Sequence, residues 1–407
     1  MRRIEDKVFP SRLGQNYTSS KVEKNNFGLA RSITAGARSK EIWGKIKALP
    51  QREFLGIIIF PRKSPLAMNS CDFPWLGVYI CIYHKNRGGG MFFASFKVSG
   101  LAVAQIFVLG GLGFFLVKKS VLKEACLDSL SRLVVEVTLP ILVFCQLIKD
   151  FRFSLYPHWW FFPLLSLLIT LAGLLLGYIF SGFIPGSQHK KQFLSLVAFQ
   201  NSGYLPLALI AALLQKEQAD TMLTYLFLFL MGFNLVVWSF GVYLLSAQEN
   251  KKMELGSLFS PPVVACILSL LIIFLGGHKF IPQVILKPLR LVGDCTLPLA
   301  MLVVGGSLAA MRLGQIDKKA ITLIILLKLI VMPLLGLVLL LKFRLPALLG
   351  FLILMQLAVP AATSLSVITR HYKKEDLLIS QGVFFSHVAC LVTLPLFLSL
   401  YYTLGML

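Results

Sequence analysis

A short polar stretch, residues 200–206, interrupts an apolar segment that covers residues 193–214. It holds two amides, a hydroxyl, a glycine and Pro206, and a proline inside a helix removes a backbone donor and clashes with the preceding turn. About 20 apolar residues can cross a bilayer, where freed backbone groups find no water. Such a break is tolerated only inside protein or beside a cavity, and transporters bind their cargo at breaks of this kind. The stretch therefore predicts a binding site at membrane depth.

The chemistry of this site follows from the ends of the two half-helices. Each half-helix has unpaired N–H groups and a partial positive charge at its N-terminus, which favours an anion. The Asn201 amide can donate and accept hydrogen bonds without adding a charge. We therefore expect the site to suit a carboxylate, with Asn201, Ser202, Gly203 and Pro206 forming one half of it.

The composition is that of a membrane protein. The 407-residue chain is 57% hydrophobic and 14% charged, with a mean hydropathy of +0.77, whereas soluble domains are nearer half apolar and a quarter charged. A net charge of +22 would suggest nucleic acid in a soluble protein, but basic loops fix the topology of a membrane protein. We expect membrane lipids around the chain and no nucleic-acid partner. The seven cysteines are scattered without CxxC, so we expect neither a disulfide framework nor a metal site.

The first ninety residues differ from the rest of the chain. Residues 1–90 hold 16 Lys/Arg and 6 Asp/Glu, and their apolar pieces are too short to span a bilayer. They lack the pattern of a secretory signal peptide. Purine-rich codons for Arg87-Gly88-Gly89 can spell a bacterial ribosome-binding sequence shortly before Met91. We therefore expect residues 1–90 to be a non-native, translated leader; a disordered basic extension is the alternative.

Ten apolar segments follow Met91. They cover residues 96–117, 130–148, 159–182, 193–214, 222–245, 261–276, 288–310, 320–341, 347–369 and 377–402. Loops after odd-numbered segments carry 14 Lys/Arg, and loops after even-numbered segments carry 8. Because cytoplasmic loops are enriched in Lys and Arg, we expect the odd loops in the cytoplasm and both termini outside it. The expected location is the inner or plasma membrane, as a multi-pass protein.

An acidic-x-Thr-Leu-Pro motif occurs twice, at residues 136–140 in the second segment and at residues 294–298 in the seventh. Segments one to five (residues 91–248) and six to ten (residues 249–407) therefore read as two copies of one unit. Five is odd, so the copies must be inverted, which is typical of secondary transporters. We predict an all-α polytopic membrane protein with ten transmembrane helices in two inverted five-helix repeats.

The repeat predicts a second break, in the ninth segment. In that segment Gln356 precedes Pro360 by a few residues, as Asn201 precedes Pro206 in the fourth segment. Both prolines fall a little past the middle of their segments. We therefore predict broken helices four and nine that cross, with an anion between their half-helix N-termini, and Gln356 and Pro360 in the other half of the site.

Three motifs carry a family resemblance. They are Asn-Ser-Gly-Tyr-Leu-Pro-Leu at 201–207, Thr-Leu-Pro-Leu-Ala-Met-Leu at 296–302 with Gly-Gly-Ser-Leu at 305–308, and Val-Pro-Ala-Ala at 359–362 with Thr-Leu-Pro-Leu at 393–396. Over about residues 91–407 the chain resembles the auxin efflux carrier family, within the larger group that includes bile acid/sodium symporters. The resemblance implies ten helices, outward termini, and crossing helices four and nine at the substrate site.

The resemblance also implies a substrate class. Auxin efflux carriers transport organic anions, which in bacterial members means malonate- or malate-like dicarboxylates; auxin-like carboxylates are the other class. Ser202 stands where the family usually has Thr, and Tyr204 replaces a smaller or apolar residue. The shape of the pocket, and with it the substrate, is left open by these departures.

Two carboxylates lie within the apolar segments. Glu136 and Asp294 are costly in lipid, which makes them functional candidates, and a buried carboxyl group with a raised pKa can carry a proton. Arg132 and Arg290 precede them by one turn, so a structural ion pair explains them equally well. We expect no cofactor and leave coupling to protons or to sodium open.

Two further polar residues lie in late segments. Lys328 in segment eight pairs with a carboxylate, faces the substrate cavity, extends its ammonium group toward the membrane surface, or packs between helices; the sequence does not choose among these. His387 in segment ten is interpreted as a packing residue.

Enzyme motifs are absent from the sequence. It contains no GxxxxGK[ST], HExxH or GxSxG pattern, so ATPase, metalloprotease and hydrolase functions lack their motifs. We expect a secondary carrier for small organic anions rather than an enzyme, with a homodimer as a further expectation. An intramembrane enzyme acting on a lipid-like substrate and a membrane receptor are the alternatives.

Overall fold

The computed structural model describes residues 89–246, 259–311, 313–343, 345–371 and 377–405. The chain separates into two units, Met1–Asn86 and Arg87–Leu407, and the description below concerns the second. The predicted leader covers residues 1–90, and its residues 1–88 lie outside the described part of the chain. The expected boundary between the repeats, at residues 248 and 249, also lies outside that part.

The described residues fold into α-helices, without any strand longer than one isolated bridge. The helices are α1 (Gly89–Lys118), α2 (Glu124–Arg132), α3 (Leu139–Asp150), α4 (Phe161–Phe180), α5 (Ser187–Ala198), α6 (Tyr204–Leu213), α7 (Lys216–Val236), α8 (Val242–Ser246), α9 (Pro261–Phe274), α10 (Gln283–Asp294), α11 (Thr296–Ala310), α12 (Lys318–Leu326), α13 (Met332–Lys342), α14 (Ala347–Ala358), α15 (Ser364–His371) and α16 (Leu377–Thr403). Short π-helical turns join three pairs of helices: Leu133–Thr138, Val237–Gly241 and Leu327–Val331.

Seven helical stretches within the described ranges are long and apolar enough to cross a bilayer. They are Phe92–Lys118, Cys126–Asp150, Phe161–Phe183, Lys216–Leu245, Gln283–Ala310, Lys318–Lys342 and Leu377–Thr403. They correspond to the predicted segments one, two, three, five, seven, eight and ten. The fourth, sixth and ninth segments contain the shorter apolar helices α6, α9 and α14. The prediction of an all-helical, multi-pass protein is thus confirmed for the described residues.

Large apolar side chains cover much of the outer surface of these helices. On α1, Phe93, Val108 and Phe115 are 71%, 71% and 64% exposed, and similar side chains lie exposed on α4 and α13. Soluble monomers rarely expose contiguous apolar surface of this extent. The exposed faces therefore suit contact with lipid hydrocarbon.

Helix irregularities accompany both copies of the acidic-x-Thr-Leu-Pro motif. Pro140 has no N–H to donate to the Glu136 carbonyl, and Leu139 N instead bonds to Val134 O, five residues back, which closes a π-helical turn. In the second copy the helix is interrupted by one turn residue, Cys295, between α10 and α11. π-Helical insertions such as that of the first copy are frequent at functional sites. Each copy thus deforms its span next to its carboxylate.

The first and seventh segments approach each other very closely. α1 packs along α11, and a Cβ atom on Gly305 would collide with the backbone carbonyl of Gly110. Glycine lets two helix backbones come this near in a membrane, where small residues line helix interfaces. This contact joins the first segment of one predicted repeat to the second segment of the other.

Candidate functional site

Two extended segments meet where helices are interrupted. The first connecting segment, residues 199–203, joins α5 to α6, and the second connecting segment, residues 359–363, joins α14 to α15. Gln200 and Ala361 form an antiparallel bridge. Asn201 N donates to Pro360 O at 2.8 Å, and Ala362 N donates to Phe199 O at 3.0 Å. The two interruptions therefore satisfy backbone groups of each other, as buried backbone groups require.

The two prolines act in different ways. The residue before a proline is held extended, and Val359, with φ −76° and ψ 153°, ends α14. Pro206 is instead the third residue of α6, where an N–H would have no partner inside the helix. The first interruption lies before Pro206, whereas the second contains Pro360. The two prolines that the sequence pairs by position therefore have different structural roles.

A cavity of about 360 Å³ adjoins the crossing. It is bordered by the first connecting segment, by the start of α6 and by the start of α15. Its wall is largely apolar, with polar groups at the crossing and near α2. The residues that line it include Arg132, Glu136, Gln200, Asn201, Ser202, Gly203, Tyr204, Leu230, Phe233, Asn234, Trp238, Val303, Thr363 and Ser364.

The N-terminal residues of two helices line this cavity. No side chain caps α6, whose N-cap is Gly203, and Leu207 N, bonded to Gly203 O at 3.0 Å, makes the first backbone bond of the helix. Thr363 and Ser364, at the start of α15, lie on the cavity wall too. The earlier N–H groups of a helix end are available to an anion. The N-termini of α6 and α15 therefore both contribute positive electrostatic potential to the cavity.

An arginine adds a full positive charge. Arg132 Nε lies 3.6 Å from Glu136 Oε1, and the two side chains are 79% and 54% exposed. An ion pair as long and as exposed as this is weak, so a carboxylate ligand can compete with Glu136 for the guanidinium. Arginine suits such a ligand because its planar fork matches a carboxylate.

Buried polar atoms at the crossing lack partners. Ser202 Oγ, Gln200 Nε2 and Gln356 Oε1 are buried and make no hydrogen bond among the described residues. Buried polar groups are nearly always hydrogen-bonded. Ser202 and Gln200 also line the cavity, so these unsatisfied atoms lie in its immediate wall.

Helices behind the crossing hold both connecting segments. Gln356 lies inside α14, and its Nε2 donates to Ser202 O at 3.1 Å. From α16, Ser386 Oγ accepts from Ala361 N at 3.2 Å, and His387 Nε2 lies 3.2 Å from Asn201 Nδ2. α14 and α16 therefore fix the backbone and side chains that face the cavity.

Lys328 contacts the crossing without lining the cavity itself. It is fully buried, and its Nζ donates to Val197 O at 2.9 Å and to Gln200 Oε1 at 3.4 Å. No carboxylate of the described chain lies within 4 Å of it. Of the options that the sequence leaves open, packing between helices fits, and pairing with a carboxylate does not.

Asp294 lies apart from the cavity. Arg290 Nε donates to Asp294 Oδ1 at 2.8 Å, and Arg290 Nη1 donates to the buried Gln146 Oε1 at 2.7 Å. The same glutamine donates to Asp150 Oδ2 at 2.6 Å. This arginine therefore ties α10 to α3, a structural role that the cavity-lining Arg132 lacks.

The predicted site residues separate into two groups. Asn201, Ser202, Gly203 and Glu136 line the cavity. Five others act behind it or elsewhere: Pro206, Gln356, Pro360, Asp294 and Lys328. Arg132, Thr363 and Ser364 line the cavity without having been predicted to do so. His387 contacts Asn201, and its position as a polar residue inside an apolar segment was the signal for it.

Comparison with known proteins shows which family the chain resembles. The family described as “Membrane transport protein” matches residues 99–398. Over 129 residues the chain is 30% identical to Protein PIN-LIKES 6 of Arabidopsis thaliana, covering 31% of the chain and 30% of that relative. Over 302 residues it is 22% identical to Protein PIN-LIKES 1 of the same plant, covering 59% of the chain and 64% of that relative. The matched part thus spans less than two thirds of either relative.

The family match covers most of the chain, including both connecting segments and the cavity. It confirms the resemblance that the sequence motifs carry. The chain is a membrane protein that belongs to the membrane transport protein family, the family of the auxin efflux carriers.

Proposed function

We propose that this protein is a secondary carrier that binds small organic anions in the cavity beside the crossing and moves them across the cell membrane by alternating access. One observation carries the proposal: the starts of α6 and α15 and the Arg132 guanidinium border one cavity. Anions are stabilised at helix N-termini, and broken helices bind substrates in carriers.

The proposed architecture has ten spans in two inverted repeats, with crossing broken helices four and nine. The fourth span consists of α5 and α6, and the ninth of α14 and α15. By the charge of the loops, both termini face away from the cytoplasm. The cavity is also lined by Arg132 and Ser260, which adjoin the first and fifth loops, so in the proposed topology it opens toward the cytoplasm.

The lining of the cavity bears on the substrate class. Arg132 supplies one cationic side chain, and Leu230, Phe233 and Trp238 supply apolar and aromatic surface. A ligand with one carboxylate and an apolar body fits this arrangement better than a dicarboxylate does. The second carboxylate of a dicarboxylate would lie near Glu136 or against the apolar wall of the cavity. Auxin-like carboxylates are therefore the first class to test, and malonate- or malate-like dicarboxylates the second.

Coupling and assembly complete the proposal. Glu136 is the carboxylate at the cavity, and a proton or a sodium ion is the candidate coupling species. A homodimer in a lipid bilayer is the proposed assembly, with no cofactor and no nucleic acid.

A counterflow experiment with the purified protein reconstituted into liposomes tests this function. Proteoliposomes loaded with an unlabelled aromatic monocarboxylate or with a dicarboxylate should accumulate the labelled compound by counterflow. Liposomes that are loaded in the same way but contain no protein should not. Chemical turnover without flux would favour an intramembrane enzyme. Saturable binding with neither flux nor turnover would favour a receptor.

A further inference from the structure

Lys328 occupies an unusual place in the eighth segment. It lies in the π-helical turn Leu327–Val331, just before Pro333. This turn packs against α4, α5, α14 and α16, so the side chain is enclosed by four helices. A buried ammonium group is costly unless oxygen atoms or opposite charge stabilise it.

The stabilising oxygen atoms come from the broken end of α5. In a continuous helix, Val197 O would accept from Asn201 N, four residues later. Asn201 N donates to Pro360 O instead, which leaves Val197 O at the negative, C-terminal end of α5. Lys328 Nζ donates to this carbonyl at 2.9 Å. The partial negative charge of a helix C-terminus favours a cation at this position.

The second contact of Lys328 is also an oxygen. Gln200 Oε1 lies 3.4 Å from Nζ, while the Nε2 atom of the same amide has no partner among the described residues. The amide therefore presents its acceptor to the ammonium group. Gln200 also lines the cavity, so it lies between Lys328 and the proposed anion.

Carbonyl oxygens of unwound segments and half-helix C-termini are the groups that hold coupling cations in broken-helix carriers. We infer that the Lys328 ammonium group is a built-in cation at the crossing and takes the place of a sodium ion there, so that the carrier works without bound sodium. The part of this inference that concerns transport rests on the proposed function. The assignment of the cation position rests on the contacts alone.

The unmodified protein provides the first test. Purified wild-type protein in detergent is melted in sodium chloride and, at equal ionic strength, in choline chloride. The inference predicts the same melting temperature in both salts, because the cation position is already filled. A saturable rise of the melting temperature with sodium would overturn it.

Removal of the side chain provides the second test. Lys328→Ala leaves a buried carbonyl without a donor, which shifts the folding equilibrium by about tenfold or more. We expect Lys328→Ala to have a lower melting temperature than wild type, and we expect sodium, but not choline, to restore it in part. The control is Lys342→Ala, at an exposed lysine in the same span, whose melting temperature should equal that of wild type. If sodium and choline act alike on Lys328→Ala, the position is not a cation site and the inference is wrong.

Transport separates this inference from the proposed function. Wild-type counterflow should proceed equally in sodium and in choline, and a requirement for sodium would overturn the inference while leaving the carrier function intact. Absence of flux for every organic anion would overturn the carrier function, and the melting comparison would still decide the assignment of Lys328.

Discussion

The Asn201 side-chain nitrogen lies 3.2 Å from His387 Nε2, although the two residues are 186 positions apart. His387 Nδ1 lies 2.8 Å from Val383 O, which can only accept, so Nδ1 carries the proton. In a neutral imidazole, Nε2 then accepts from the Asn201 amide. This contact orients the amide and leaves its second hydrogen for an anion in the cavity.

Loss of the imidazole should therefore weaken substrate binding. We expect His387→Ala to raise the half-saturating substrate concentration at least about fivefold, the effect of losing one buried hydrogen bond. The measurement is counterflow over a range of substrate concentrations. The control is His158→Ala, at an exposed position, and equal kinetics for both variants would rule out a positioning role for His387.

The two arginines of the repeated motif should separate binding from stability. Arg132 lines the cavity, so Arg132→Gln should weaken substrate binding by about tenfold and leave the melting temperature nearly unchanged. Arg290 donates to buried Gln146, so Arg290→Gln should lower the melting temperature and leave binding nearly unchanged. Counterflow and thermal unfolding measure the two effects. The reverse pattern would mean that the cavity is not the binding site.

The two prolines should also differ in effect. Pro360→Ala removes the restriction that holds Val359 extended, so α14 can continue and disturb the bridge between Gln200 and Ala361. Pro206→Ala replaces a first-turn proline whose N–H would be free in any case. We expect counterflow to fall by about tenfold or more in Pro360→Ala and by much less in Pro206→Ala. Equal losses would show that the proline positions, rather than the bridge, define the breaks.

Close helix packing gives a test of the fold itself. Gly305→Ala places a methyl group against the Gly110 carbonyl and should lower stability by about 1–3 kcal/mol, the typical effect of overpacking. Gly100→Ala on α1 is the matched control, since its Cβ would meet nothing within 4 Å. Thermal unfolding of both variants in the same detergent measures the difference. A Gly305→Ala protein as stable as the control would contradict the packing of α1 on α11.

The sequence was sufficient to predict the helices and the two interruptions. Apolar segments separated by polar loops correspond to seven candidate spans and three shorter helices, because bilayer thickness imposes a length that composition reveals. The breaks in the fourth and ninth segments were predicted because proline and amide residues are unfavourable in lipid.

The partners across the breaks could not be predicted in the same way. Nothing in the local sequence pairs Gln200 with Ala361 or Lys328 with Val197, since such contacts depend on how helices from distant parts of the chain pack. The matched roles assumed for Asn201 and Gln356 also differ. Asn201 lies in a connecting segment, while Gln356 lies inside α14 and supports that segment from behind.

The central claim is that the cavity beside the crossing binds the transported anion. The most direct measurement is counterflow of a labelled organic anion by wild-type protein, by Asn201→Ala and by Gln283→Ala, an exposed amide outside the cavity. Wild type and Gln283→Ala should show equal flux, and Asn201→Ala should lose most of it while inserting into the membrane normally. Wild-type flux in Asn201→Ala would contradict the account.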